Sequence, residues 1–138
     1  MAETLWELPV PSSGRYGVEF RQLMRRRCVL LFSYEDEEDG KTLMLELLFD
    51  GVEAFKCTYH HACTLDMRAA YDKLVDVGDT EWLGGVRGQL AKHGDSPGGL
   101  SHMMIYFDDG PCYEFICRSF RAEQSAGSGD AGGLGAGG

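Results

Sequence analysis

The sequence predicts an α+β domain built mainly from an antiparallel sheet of about five strands, in the order β-β-β-α-α-β-β, with two helices packed on one face. Three observations lead there. Asp-Gly dipeptides at Asp39-Gly40, Asp50-Gly51 and Asp109-Gly110 separate apolar runs of strand length, and Asp-Gly readily supplies the positive φ angles of tight hairpin turns. The runs themselves carry β-branched and aromatic residues, as buried strands do. Between the third and fourth runs, apolar residues recur at spacings of three and four, the period of an amphipathic helix.

Residues 1–13 include Trp6, Leu8, Pro9, Val10 and Pro11 and read as an extended arm that lays Trp6 on the core. Residues 14–27 fit either a strand or a short helix, with Val18, Phe20 and Met24 as their apolar positions. Cys28 to Tyr34 is a continuous apolar run of strand length. Glu35 to Lys41 is a turn with five carboxylates, and Thr42 to Phe49 is a second strand. Asp50-Gly51 then leads into a third, Val52 to His61. There Val52, Ala54 and Lys56 face one way, while Phe55, Cys57, Tyr59 and His61 face the other.

Thr64 is placed to cap a helix with Asp66 in its first turn. Met67, Ala70, Tyr71, Leu74 and Val75 give that helix one apolar stripe, which Gly78 ends. A second helix covers Thr80 to Lys92, with Leu83, Val86 and Leu90 on one face and His93-Gly94 as its stop. Gly84, Gly85 and Gly88 each cost it about 1 kcal/mol relative to alanine, so it needs tertiary support. Trp82 near its start reads as a core anchor. The clearest hairpin closes the order: His102 to Phe107, the turn Asp108-Asp109-Gly110-Pro111, and Cys112 to Cys117.

The 138 residues fit one domain, residues 1–124. At that size a chain buries about two-thirds of its unfolded surface without needing a staple. Residues 125–138 contain seven glycines and one large apolar side chain, Leu134, a composition expected to form a disordered tail.

Charge is unevenly distributed. Residues 1–27 carry a net +2 and residues 28–124 a net −10, within a total of −9. A field of that sign repels phosphates, so nucleic acid and membranes are poor partners and a basic protein is the better fit. Arg25-Arg26-Arg27 read as solvated residues flanking a buried strand. The five cysteines are odd in number, no signal-peptide pattern precedes them, and no apolar stretch reaches membrane-spanning length. A cytoplasmic protein with free, structural thiols is the expectation.

Two constellations suggest chemistry. Within Cys57-Thr-Tyr-His60-His61-Ala-Cys63, an extended backbone would put Cys57, His61 and Cys63 on one face, a partial zinc set needing a fourth ligand such as His102 or Cys112. A metal- or thiol-dependent small enzyme centred on Cys57, His61 and Cys63 is therefore the alternative reading. Glu35, Glu37, Asp39, Gly40 and Glu46 match calcium-loop spacing, but glutamate at the first two positions and strand flanks argue against that motif. No nucleophile elbow, phosphate-cradling loop or metalloprotease helix is present in the sequence, and nothing points to a cofactor.

The acidic turns give the leading reading. Glu35, Asp36, Glu37, Glu38 and Asp39, with Asp108 and Asp109 on the final hairpin and Asp50 on another turn, can form a negative rim that steers a basic partner. Charged turns also keep sheet proteins soluble, which is the plainer explanation. Tyr34, Tyr106 and Tyr113 lie near these turns as candidate anchors. The expected function is a non-catalytic protein-binding domain presenting an acidic hairpin edge, with self-pairing of an edge strand into a homodimer as a further option.

The segment from Tyr71 to Phe120 contains Y-D-K-L-V-D-V-G-D-T-E-W-L and H-M-M-I-Y-F-D-D-G-P-C-Y-E-F-I-C-R-S-F. This layout, about a third of the chain, resembles small uncharacterised bacterial proteins. In size and charge the chain is also similar to toxin-neutralising immunity proteins, a likeness that implies a basic protein as partner.

Overall fold

The computed structural model describes residues 2–9, 15–35, 40–108 and 110–126. Their organising element is a hairpin of β7, Ser101–Tyr106, and β8, Cys112–Cys117. Residues 102–107 and 112–117 are all buried. Successive strand side chains point to opposite faces, so burial without alternation means that both faces of this hairpin are covered.

One cover is a second sheet. β2 (Arg15–Leu23), β3 (Arg27–Glu35), β4 (Thr42–Asp50) and β9 (Ser119–Ala126) form a four-stranded antiparallel sheet in that order. Leu30, Phe32 and Tyr34 of β3 and Leu45, Leu47 and Phe49 of β4 meet Met103, Ile105, Tyr113 and Phe115 in one core. Phe49 stacks on Phe115 with ring centroids 4.0 Å apart, and Phe32 meets Phe107 edge-on at 5.4 Å. Trp6 packs against this core, as its arm was expected to allow.

The hairpin belongs to a five-stranded antiparallel sheet ordered β1-β6-β7-β8-β5, with β1 at Glu3–Glu7, β5 at Ala54–Thr58 and β6 at Lys73–Asp76. Two helical segments cover its other face. Around α1, Leu65–Arg68, Ala70 and Met67 pack on Val75, Met104, Tyr106 and Cys112. α2, Glu81–Lys92, buries Leu83 against Leu100 and Ile116. The helices thus share one face, and the α+β class with mainly antiparallel strands holds.

Several finer expectations do not. Among the described residues there are nine strands in two sheets, not about five in one. The extended arm is itself a strand, paired with β6, and the ambiguous segment before Cys28 is β2. The helix expected over Thr64 to Gly78 survives as one turn. Thr64 does cap it, accepting from the Met67 N–H at 3.3 Å. Beyond it, Asp72 adopts φ 57°, and the chain becomes strand β6. The apolar stripe splits there: Leu74 enters the inter-sheet core and Val75 faces the helices. Val52 to His61 is shorter than expected, ending at Thr58 before a 3-10 turn at His60–Ala62.

Asp50-Gly51 is not a hairpin turn. It hands the chain from the four-stranded to the five-stranded sheet, with the Val52 N–H donating to Arg26 and the Glu53 N–H to Ile116. Gly51 has φ +64°, and a Cβ there would sit 3.0 Å from the Arg118 side chain, so glycine is required for conformation and for space. Strand β9 was not foreseen. It carries Ser125 and Ala126, which pair with Met44 and Leu43; the rest of the expected tail, residues 127–138, lies outside the described residues.

Helix α2 begins where expected, with Thr80 as N-cap and His93-Gly94 at its end. Its glycines have no packing role: a Cβ at Gly88 would meet nothing within 4 Å. Gly88→Ala is therefore expected to raise the unfolding free energy by about 1 kcal/mol, read as a shifted urea midpoint at unchanged slope.

Candidate functional site

Antiparallel connectivity sends successive turns to alternate ends of a sheet, and the pairing of the two sheets fixes which turns meet. Phe32 lies close to the β3 end at Glu35, and Phe107 precedes Asp108; their contact places the β3 end and Asp108 at one pole. Asp50-Gly51 lies at the other pole, against Arg118 and the β2–β3 turn. Glu35 and Asp108 therefore share a pole, and Asp50 lies away from it.

Of the acidic residues singled out by sequence, Glu35 closes β3, and Asp108 accepts a hydrogen bond from the Tyr71 hydroxyl at 2.8 Å. Asp36, Glu37, Glu38, Asp39 and Asp109 lie outside the described residues; chain connectivity brackets them by Glu35 and Gly40, and by Asp108 and Gly110. Gly110, at φ +70°, holds the second tip close to the 3-10 turn: a Cβ there would come within 2.9 Å of the His60 nitrogen.

The expected anchors are wrong. Tyr34, Tyr106 and Tyr113 are 3%, 4% and 6% exposed, because each turns inward from a strand covered on that face. Instead, the segment joining β5 to β6 crosses this pole and leaves Tyr59, Leu65 and Tyr71 exposed, at 75%, 80% and 43%. Tyr71 and His60 both reach Tyr106, Tyr71 through ring contact at 6.1 Å and His60 through its Nδ1, 2.9 Å from the Tyr106 hydroxyl. Tyr106 thereby ties the exposed aromatic segment to the acidic tip.

The metal alternative loses its geometry. Among the described residues no group of three or more His, Cys, Asp or Glu is placed to hold a metal ion. Cys57 lies on exposed strand β5, whereas His61 sits in the 3-10 turn and Cys63 follows it. The Cys63 thiol donates to the carbonyl oxygens of Thr58 and Tyr59. The 3-10 turn at His60–Ala62 breaks the extended backbone on which their shared face depended. Burial pushes all five thiols above their ordinary value, Cys28 to about 11 and Cys117 to about 12, and the thiolate is the reactive form.

A buried polar row was missed by sequence reasoning. His102 Nε2 lies 2.9 Å from Glu114 Oε1, and His102 Nδ1 lies 2.8 Å from the Thr80 hydroxyl, which also accepts from the Leu83 N–H at the start of α2. The Trp82 ring stands edge-on to His102, and Lys56 Nζ lies over the Trp82 ring, 4.0 Å from its centroid. His102 and Glu114 are each 5% exposed, and Glu114 Oε2 makes no hydrogen bond among the described residues. A signal existed: they are the only strongly polar residues between Ser101 and Phe107 and between Cys112 and Cys117, and both face the helices. The row separates the α1 and α2 clusters and pins the start of α2 to the sheet.

No family model, curated protein or solved structure matches this chain. No helix of the described residues is long and apolar enough to cross a membrane.

Two outcomes follow. His102→Ala removes the hydrogen-bond partner of buried Glu114 and is expected to cost about 1–3 kcal/mol, whereas His102→Leu with Glu114→Leu recovers most of that loss; a double-mutant cycle in urea measures both. The thiols set an alkaline limit. An unfolded thiol ionises near 9.0 while native Cys28 and Cys117 stay protonated to about 11 and 12, so the unfolded chain binds fewer protons and stability falls as pH rises through that window. Urea midpoints should drop between pH 9 and pH 11, and drop less in Cys117→Ala.

Proposed function

We propose that this chain is a non-catalytic protein-binding domain whose acidic pole docks a basic protein, in the manner of a cytoplasmic immunity protein that neutralises its target by occlusion. One observation carries the reading: Glu35, at the end of β3, and Asp108 lie at the pole where Tyr59, Leu65 and Tyr71 are exposed. Carboxylates steer encounter and set its rate, while aromatic side chains supply area that can be desolvated in the complex. Each alone has a plainer explanation in solvated turns; their coincidence at one end is what a docking surface requires. The acids between Glu35 and Gly40 extend the same field by sequence.

The test separates steering from folding. A variant with Glu35→Gln, Asp36→Asn, Glu37→Gln, Glu38→Gln, Asp39→Asn, Asp108→Asn and Asp109→Asn should keep its thermal midpoint within a few degrees. Its association rate with a partner captured by the wild-type protein should fall about tenfold or more at low salt. The same partner captured at the same rate would end this reading.

A further inference from the structure

At the opposite pole the surface has a different character. Strand β5 is the outermost strand of its sheet, bonded to β8 on one side and to no described strand on the other. Such an edge offers unpaired backbone groups to any chain that arrives in extended form. Beside it runs a groove of about 510 Å³, within the range of ligand-holding clefts. Its helical wall is the stripe Trp82, Val86 and Leu90, spaced by four along α2, and its opposite wall is Glu53, next to the start of β5.

Three cations contact the walls of this groove. Glu53, the acid in its wall, is held by two guanidinium groups, those of Arg26 and Arg118, each at 2.9 Å. The Arg26 side chain is still 66% exposed. Lys56, on β5 itself, stands over Trp82, and His93 closes the far end of the helical wall. Two arginines to one carboxylate leave this wall positive in a chain of net charge −9.

We infer that the groove between α2 and the edge of β5 is a second docking site, taking an extended acidic segment of a partner protein with bulky apolar side chains at alternate positions. Backbone pairing along Ala54–Thr58 would give the segment its direction, as in β-strand addition generally. Alternate side chains then point to one side, so every second residue reaches the Trp82, Val86 and Leu90 wall. Acidic residues between and beyond them meet Arg26 and Lys56. The groove lies at the Glu53 end of β5, away from the acidic pole that β5 approaches at Thr58, and the inference does not depend on the function proposed there.

A displayed library of random ten-residue peptides, selected against the intact chain, tests the inference. Enriched peptides should alternate apolar residues with Asp or Glu. Synthetic copies should bind at least tenfold more weakly to Gly85→Leu, which fills the groove from a position where a Cβ meets nothing within 4 Å and which leaves the fold intact. Arg26→Glu should weaken them severalfold, and neutralising Asp108 should leave them unchanged. Absence of enrichment, enrichment of basic peptides, or equal binding to wild type and Gly85→Leu would each overturn the proposal.

Discussion

Because residues 102–107 and 112–117 of the β7–β8 hairpin are all buried, both of its faces must be covered, and the rest of the chain is arranged to do this. The four-stranded sheet covers one face through aromatic contacts such as Phe49 on Phe115. The α1 and α2 segments cover the other, with Ala70 and Leu83 at their points of deepest burial. Burial of apolar area at about 25 cal/mol per Å² is the dominant favourable term in a fold of this size. The hairpin collects that term from both sides.

The same arrangement sorts charge. An antiparallel sheet alternates its turns between two ends, so the arginine turn before β3 and the acidic turn after it are necessarily at opposite poles. Packing of Phe32 on Phe107 then brings the second acidic tip to join the first. Neutralisation is local at the other pole, where Glu53 draws in Arg26 and Arg118. Glu35 and Asp108 thus stand at one end of the strands, and the Glu53–Arg26–Arg118 cluster at the other.

Between the two apolar clusters under the helices lies a polar seam of Thr80, His102 and Glu114. Its hydrogen bonds pair His102 with Glu114 Oε1 and with the Thr80 hydroxyl that caps α2, so the same network that leaves Glu114 Oε2 unbonded among the described residues fixes the position of a glycine-weakened helix. Trp82 connects this seam to the surface: one contact is with His102, another with Lys56 of the free edge strand. A change at the groove is thus mechanically close to the interior of the sheet.

The residues by themselves determined the elements whose signal is local. β3, β4, the β7–β8 hairpin and α2 with its Thr80 cap follow from unbroken apolar runs, a helical stripe and turn chemistry, all of which act within a few residues. The acidic composition of two tips was equally legible. Only the tertiary structure decided which partner each strand takes. β1 and β9 are held by the backbones of β6 and β4, and weakly apolar stretches such as Ser119–Ala126 become strands because a neighbour supplies the ladder. Spacings of three and four in Met67, Ala70, Leu74 and Val75 suit a helix in isolation. Leu74 and Val75 are instead pulled to opposite faces of a sheet, since both an inter-sheet core and a helix cover were waiting for apolar side chains. Which tyrosines remained outside, and which histidine met which glutamate, depended on pairing across the fold, where distance in sequence carries no information.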